Sequence, residues 1–376
     1  MTETRRHVGR TDHPGGHTIT RRQVLGAAAL MGAGAWLATG SGAAIAASPS
    51  IVDELSRFVA EQAGRGLFSG AVLLDHRGRP VFSAAYGQAD RAASVPNTPD
   101  TRFNIASVGK FLTAVTAARL VEDRRLRFSS TLGEAVPQLR NPALRPLTLH
   151  QLLTHTAALP DVEPGPPESG PVTGRAIDYL PMLERLELVG VPGQQWSYSN
   201  PGFIAAGLMI EQAGRRPFRS AVHADVLTPA GMHRTVALRP SSGVPVATRY
   251  APDGQAFPID YATGAGGFYS SVGDLVAFAH ALTQRRLLDD AHTTEVITGK
   301  VPTPLGDVLY AYGCAVQTAN GHPIIWHNGG GPGANSWLQI YPDDGYTLAV
   351  LSNVWNFGYV GGVQPIVNKA QQLITG

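Results

Sequence analysis

Apolar positions recur at helical spacing over residues 51–63, where Ile51, Leu55, Phe58, Val59 and Ala63 share one side. Two runs of strand length follow, Gly70–Asp75 and Pro80–Tyr86. The His76-Arg77-Gly78-Arg79 turn between them predicts a hairpin. Residues 87–102 carry Pro96 and Pro99 and read as a loop. After Ser107 a longer periodic run begins, with Phe111, Leu112, Val115, Ala118, Leu120 and Val121, and predicts a buried helix. Helical patterns then dominate. They predict a short helix over Leu147–Leu153 with Thr148 as cap. Further helices are expected around 176–188, from Asn200-Pro201 through Ile210, over about 218–227, and over Ser271–Leu282. The Pro- and Gly-rich stretch 159–174 reads as an exposed loop. Strand patterns return at Leu309–Gln317, Pro323–His327, Ser336–Tyr341 and Tyr346–Leu351, and a helix closes the chain near 363–374.

Strands near both ends with helices between them predict an α+β fold. One antiparallel sheet is assembled from both chain ends and flanked by helices. A mostly helical subdomain is inserted over approximately residues 107–300. The first 46 residues stand apart. Thr20-Arg21-Arg22-Gln23-Val24-Leu25 precedes a weakly apolar Gly/Ala-rich run to about Gly40, and Ala44-Ile45-Ala46 offers a small-residue cleavage site. This is the pattern of a twin-arginine export signal. It predicts a periplasmic or extracellular domain over 47–376, with no stable membrane span once the signal is cleaved. An uncleaved anchor is the other reading of the same run, and its glycines make it poorly hydrophobic.

Composition narrows the chemistry. The chain has 376 residues, 43% apolar and 15% charged, as expected of a soluble globular protein. Its single cysteine, Cys314, excludes an intrachain disulfide framework and a cysteine-based metal site. The formal charge of +2 comes from the leader, which holds five arginines and two acids. The remainder carries 25 basic and 26 acidic residues, about −1. With no basic patch interleaved with aromatics, nucleic acid is not an expected partner.

Three local patterns carry candidate chemistry. The first is Ser107-Val108-Gly109-Lys110. Residues three apart share a helix face, so Lys110 lies one turn from Ser107. A serine hydroxyl is a poor nucleophile until a group takes its proton. A desolvated lysine can do so and an arginine cannot. Lys110, Lys300 and Lys369 are the only lysines among 30 basic residues, and one of them stands at Ser+3. A serine N-cap with a solvated lysine is the bland alternative.

The second pattern is Tyr198-Ser199-Asn200-Pro201. Asn as N-cap and Pro in the first helical turn would explain it structurally. Functionally, a phenol beside a lysine ammonium is more easily ionised and can exchange a proton with Ser107. The third pattern is His327-Asn328-Gly329-Gly330-Gly331 after an apolar strand. Glycines there let a substrate lie against a strand edge, with backbone amides aimed at a developing oxyanion. A plain glycine turn, or half of a metal site with His322, are the alternatives. The absence of a nearby carboxylate in sequence argues against zinc.

In the order S-x-x-K, Y-x-N and H-x-G, these motifs resemble the serine β-lactamase and penicillin-binding-protein superfamily, and within it the class C β-lactamase-like serine hydrolases. Leu152-Leu153-Thr154-His155-Thr156, the segment Gly264–Ser271 and the stretch His322–Asn353 are similar too, so the resemblance covers roughly residues 51–374. It implies a β-lactamase/transpeptidase-like fold. It also implies a serine hydrolase that needs no cofactor and no metal, acting on small-molecule or peptide substrates with an ester or amide bond. By the same resemblance, Ser107 is the acylated nucleophile, and Lys110 and Tyr198 share its proton transfers. Asn200, His327, Gly329 and Gly330 bind substrate, with the amides of Ser107 and Gly330 as the oxyanion hole.

One departure matters. Class C β-lactamases typically carry K-[TS]-G where this chain has His327-Asn328-Gly329. A largely neutral histidine holds a substrate carboxylate less firmly. This favours an esterase or D-amino-acid peptidase/amidase over a β-lactamase. With an alcohol or amine as acceptor the same site would be an acyl transferase, and no sequence feature excludes that. A non-catalytic peptidoglycan- or peptide-binding relative is the reading from another class. Tyr250, Tyr261, Phe268 and Trp337 are expected candidates for the pocket wall. Oligomeric state is not legible.

Overall fold

The computed structural model describes residues 50–162, 175–237, 243–259, 261–354 and 362–376. The stretch expected to be a twin-arginine signal and most of the 159–174 stretch lie outside the described residues. The chain folds as an α+β protein. Its sheet has eight strands: β1 (Gly70–His76), β2 (Arg79–Tyr86), β3 (Val301–Pro302), β4 (Leu309–Tyr310), β5 (Ala315–Ala319), β6 (His322–Gly331), β7 (Ala334–Tyr341) and β8 (Tyr346–Ser352). Their spatial order is β2-β1-β8-β7-β6-β5-β4-β3, and each neighbouring pair is antiparallel. The N-terminal hairpin therefore joins the C-terminal strands through β1 and β8, with Ala71 opposite Leu351 and Leu73 opposite Ala349.

The helices are α1 (Ile51–Gly64), α2 (Gly109–Glu122), α3 (Leu149–Leu153), α4 (Asn200–Gly214), α5 (Val272–Thr283), α6 (Asp290–Ile297) and α7 (Val363–Thr375), with shorter turns between them. α1 starts where a side chain can cap it. Ser50 Oγ accepts the Asp53 N–H, and the Asp53 carboxylate takes the Ser50 N–H in return. Its apolar stripe, Leu55 and Val59, packs with Val363, Ile366 and Val367 of α7 over one face of the sheet. α2 differs, being buried almost all round, because it runs through the core between the sheet and the other helices.

Strand alternation explains the near-continuous apolar run of β1. Val72 and Leu74 face α1 and α7, whereas Ala71 and Leu73 face the central helices.

The structure adjusts several expectations. The 176–188 segment is a 3-10 turn, Ala176–Tyr179, followed by a single α-turn, Leu180–Glu184. The 309–317 run is two strands, split because Gly313 takes φ +69° and brings the chain against the Lys110 carbonyl. The 218–227 helix runs on to Ala230, where Gly231 ends it at φ +74°. α6, capped by Asp289, is an additional helix whose sequence has no clear apolar period.

Candidate active site

Ser107 sits in a 3-10 turn, Ala106–Val108, that leads directly into α2. The turn is tight. Ala106 adopts φ +42°, a region an L-residue enters at a cost. Its carbonyl lies so close to Gly266 that a Cβ there would stand 2.2 Å from the oxygen. Gly266 itself adopts φ +144°, which only glycine takes readily. The nucleophile turn and the 263–267 turn are thus pressed together with no room for a side chain between them.

One helical turn on, Lys110 is fully buried. Its Nζ donates to Ser107 Oγ at 2.9 Å, Asn200 Oδ1 at 2.7 Å and the Ala265 carbonyl at 2.8 Å. All three acceptors are neutral. Tyr198 Oη is 2.7 Å from Ser107 Oγ, and the Lys110 ammonium lies 4.8 Å from the Tyr198 ring centroid. Ser107, Lys110, Tyr198 and Asn200 therefore converge from α2 and from the start of α4.

Asn200 is not the cap of α4. Ser199 fills that role, its Oγ accepting the Gly202 N–H. The Asn200 side chain is thereby left for Lys110. With Oδ1 held there, its amide NH2 remains available to a substrate carbonyl.

The third pattern divides by strand alternation. Asn328 and Gly330 line a cleft of about 390 Å³ together with Ser107, Tyr198 and Asn200. His327 and Gly329 are set behind its wall. A Cβ on Gly329 would stand 2.6 Å from the Ile105 carbonyl and 2.8 Å from the Ser107 nitrogen, so β6 lies flat against the nucleophile turn. Ser336 of β7 ties the same turn down by donating to the Ile105 carbonyl at 2.7 Å.

The His327 ring is buried, with Nδ1 at the Asn328 carbonyl and Nε2 3.0 Å from Tyr310 Oη. Nδ1–H donates to the carbonyl, so Nε2 accepts from the phenol. Burial, then the Lys110 charge, hold this imidazole down to about 3, so it is neutral near pH 7. Its contacts are to Tyr310 and to backbone, not to the cleft.

Of the expected wall residues, Tyr261 lines the cleft. Tyr250 is buried and its hydroxyl accepts the Arg91 N–H; Phe268 and Trp337 are core. Two charged side chains that motif reading passed over line the cleft as well, Asp161 and Arg249. Asp161 Oδ1 accepts the Asn200 N–H at 3.1 Å, and the Arg249 guanidinium donates to the Pro258 carbonyl. Neither belongs to a local pattern. The Ala265 carbonyl is a backbone partner; its segment, Gly264–Ser271, carries the resemblance, but no side chain marks the role of the carbonyl. Cys314 is buried and free, and burial pushes its thiol far up.

The family model described as Beta-lactamase matches residues 55–362. Esterase EstB of Burkholderia gladioli is 29% identical over 261 residues, which cover 58% of this chain and 66% of that protein. The D-alanyl-D-alanine-carboxypeptidase/endopeptidase AmpH of Escherichia coli is 27% identical over 302 residues, 74% of this chain and 77% of that one. The crystal structure of a penicillin-binding protein from Bacillus halodurans matches with a TM-score of 0.74 at 27% identity, covering 85% of this chain and 99% of the other.

Proposed function

This chain belongs to the beta-lactamase family, and from that premise we propose that it is an exported serine hydrolase working through a Ser107 acyl-enzyme on ester or amide bonds. The observation that carries the reading is that a buried lysine amine and a phenol both reach one serine oxygen at the floor of a cleft, at 2.9 and 2.7 Å. Ser107 Oγ attacks the carbonyl carbon while its proton passes to the Lys110–Tyr198 pair, which before attack holds one proton fewer than ammonium plus phenol and so has a free amine or phenolate to receive it. The tetrahedral oxyanion is met by the Ser107 and Gly330 amides. The pair then protonates the leaving alcohol or amine as the C–O or C–N bond breaks. Water reverses the sequence: it gives a proton to the pair, attacks the acyl carbon, and Ser107 leaves with its proton restored. Because Lys110 and Tyr198 share contacts, they act as one coupled acid–base unit. The Asn200 amide orients the acyl group.

The neutral His327 favours esterase or D-amino-acid peptidase/amidase activity, since it offers no cation to a substrate carboxylate. EstB and AmpH carry such activities in their names, which supports the same branch. A second reading, a class C-type β-lactamase or acyl transferase, draws on Arg249, a cationic side chain in the cleft wall. The leader pattern supports export. Among the described residues no helix is long and apolar enough to cross a membrane.

The deciding assay compares the protein with Ser107→Ala on p-nitrophenyl esters, D- and L-amino-acid p-nitroanilides and a chromogenic cephalosporin. Ser107-dependent turnover of esters or D-anilides with little cephalosporin hydrolysis is expected. Fast, Ser107-dependent cephalosporin turnover selects the β-lactamase reading. Turnover that survives Ser107→Ala removes Ser107 from the mechanism.

A further inference from the structure

We propose that His155, which has no part in the proton transfers above, is a positioning residue that holds Tyr198 on the nucleophile by gripping the chain on both sides of it. The grip is visible as two hydrogen bonds from one residue. The His155 carbonyl accepts the Ser197 N–H at 2.8 Å, and its Nδ1 accepts the Ser199 N–H at 3.1 Å. Tyr198 lies between these two anchored neighbours, and its ring packs on the His155 ring with centroids 4.4 Å apart. Ser199 is fixed again through Oγ, which donates to the Pro160 carbonyl at 2.9 Å. The phenol is thereby held at its 2.7 Å contact with Ser107.

Two features of His155 are unfavourable and both serve the grip. The residue adopts φ +58°, which few residues other than glycine, Asn and Asp enter readily. This backbone turn presents the carbonyl and the side chain to the same segment. The second feature follows from the hydrogen bond itself. With Nδ1 as acceptor, the neutral ring carries its proton on Nε2. That buried donor has no partner among the described residues and lies among the rings of Trp196, Phe203 and Tyr310. An imidazolium would aim a second N–H at the Ser199 N–H and break the grip. Burial, then the Lys110 charge, keep the ring uncharged. A histidine placed only to fill the core would need neither the left-handed backbone nor the stranded donor.

The inference rests on the acyl-enzyme reading for its consequence in turnover, but its geometry can be tested separately. His155→Asn keeps an acceptor at the same position and tolerates positive φ, while deleting the ring. His155→Phe keeps a ring and deletes the acceptor. Both are made in the full chain. Turnover of a p-nitrophenyl ester is normalised to the sites labelled by a fluorophosphonate probe, and crystal structures give the Ser107–Tyr198 distance.

The expected result is a fall in kcat of at least tenfold in His155→Phe with KM within twofold, and kcat within threefold of the parent in His155→Asn. The phenol should move beyond hydrogen-bond distance in the Phe variant only. Parent kcat in His155→Phe overturns the proposal, as does equal impairment of both variants. Should the Phe variant not fold, a loss above tenfold in the Asn variant alone overturns it. If parent turnover proves independent of Ser107, the acyl-enzyme reading fails, and the Ser107–Tyr198 distances still decide the role of His155.

Discussion

The two faces of the sheet are built to different rules. On the outer face, α1 and α7 cover the strands with Leu55, Val59, Ile366, Val367 and their apolar partners. On the inner face, beside the nucleophile turn, the chain buries Lys110, Asn200, Thr113, His155, His327 and Ser336. Backbone strain follows the same division. Nine non-glycine residues adopt positive φ among those described. Arg77, Ser94, Arg124, Arg215, Arg285 and Asn320 are exposed turn residues, whereas Ala106, His155 and Ala158 are buried or half-buried and flank the site. The outer face is covered mainly by ordinary apolar burial, whereas the inner face combines the larger apolar core with the buried polar groups and strained turns of the site. Mutations should separate the two.

The largest effect is expected from the acid–base pair. Lys110→Met and Tyr198→Phe should each lower kcat by about 10²–10⁴. Replacing the buried cation with an apolar chain of similar length should leave the urea midpoint no lower than in the parent, because the cost of burying charge disappears. A loss of stability on the scale of the loss in activity would show that Lys110 supports the fold as well as the chemistry.

Gly329→Ala comes next. Its Cβ would meet the Ser107 nitrogen, the Ile105 carbonyl and Ser336 Oγ, 2.4 Å away, and push β6 off the nucleophile turn. A fall in kcat of roughly 10² is expected, the scale of losing an oxyanion contact. Stopped-flow acylation rates on a folded variant check it.

Leu55→Ala should act in the opposite sense. It should cost about 2–5 kcal/mol of stability by leaving a cavity under α1, while kcat per labelled site stays at the parent value. A changed kcat at a saturating folded fraction would show that the faces communicate.

The smallest effect concerns acid. The folded chain keeps His327 neutral down to about 3, whereas an unfolded imidazole gains its proton below about pH 6.5. The unfolded state binds more protons in that window. Stability is therefore full above about pH 6.5 and falls as pH drops toward 3. Urea midpoints of His327→Gln should fall less between pH 7 and pH 4 than those of the parent. Equal slopes would assign the acid loss to other groups, such as His155.

Much of the fold was legible along the chain because its elements obey local rules. The strand periods, the Thr148 cap, the helix after Ser271 and the Arg77-Gly78 turn appear where the pattern puts them. Where the pattern misled, a tertiary contact intervened. Leu309–Gln317 reads as one strand, and only the approach of Gly313 to α2 breaks it. His327 reads as a residue facing substrate. Its place on the alternate side of β6 turns it to Tyr310 instead.

The candidate site divides in the same way. Three residues make nearly one helical turn, so the S-x-x-K spacing by itself brought Lys110 under Ser107. Tyr198 and Asn200 were marked as a motif, but their arrival at Ser107 needed α4 to pack on α2 across about ninety residues of chain. Asp161 and Arg249 left no local mark; His155 and Ala265 lie in segments that resemble the family, but nothing local assigns the Ala265 carbonyl to Lys110 or gives His155 its two-sided hold on Tyr198. The reason is physical. Spacing along a helix or strand is set by bonded geometry and is readable from order alone. A carbonyl or ring nitrogen becomes a partner only when packing delivers a donor from a distant segment, and that is decided by the whole core at once.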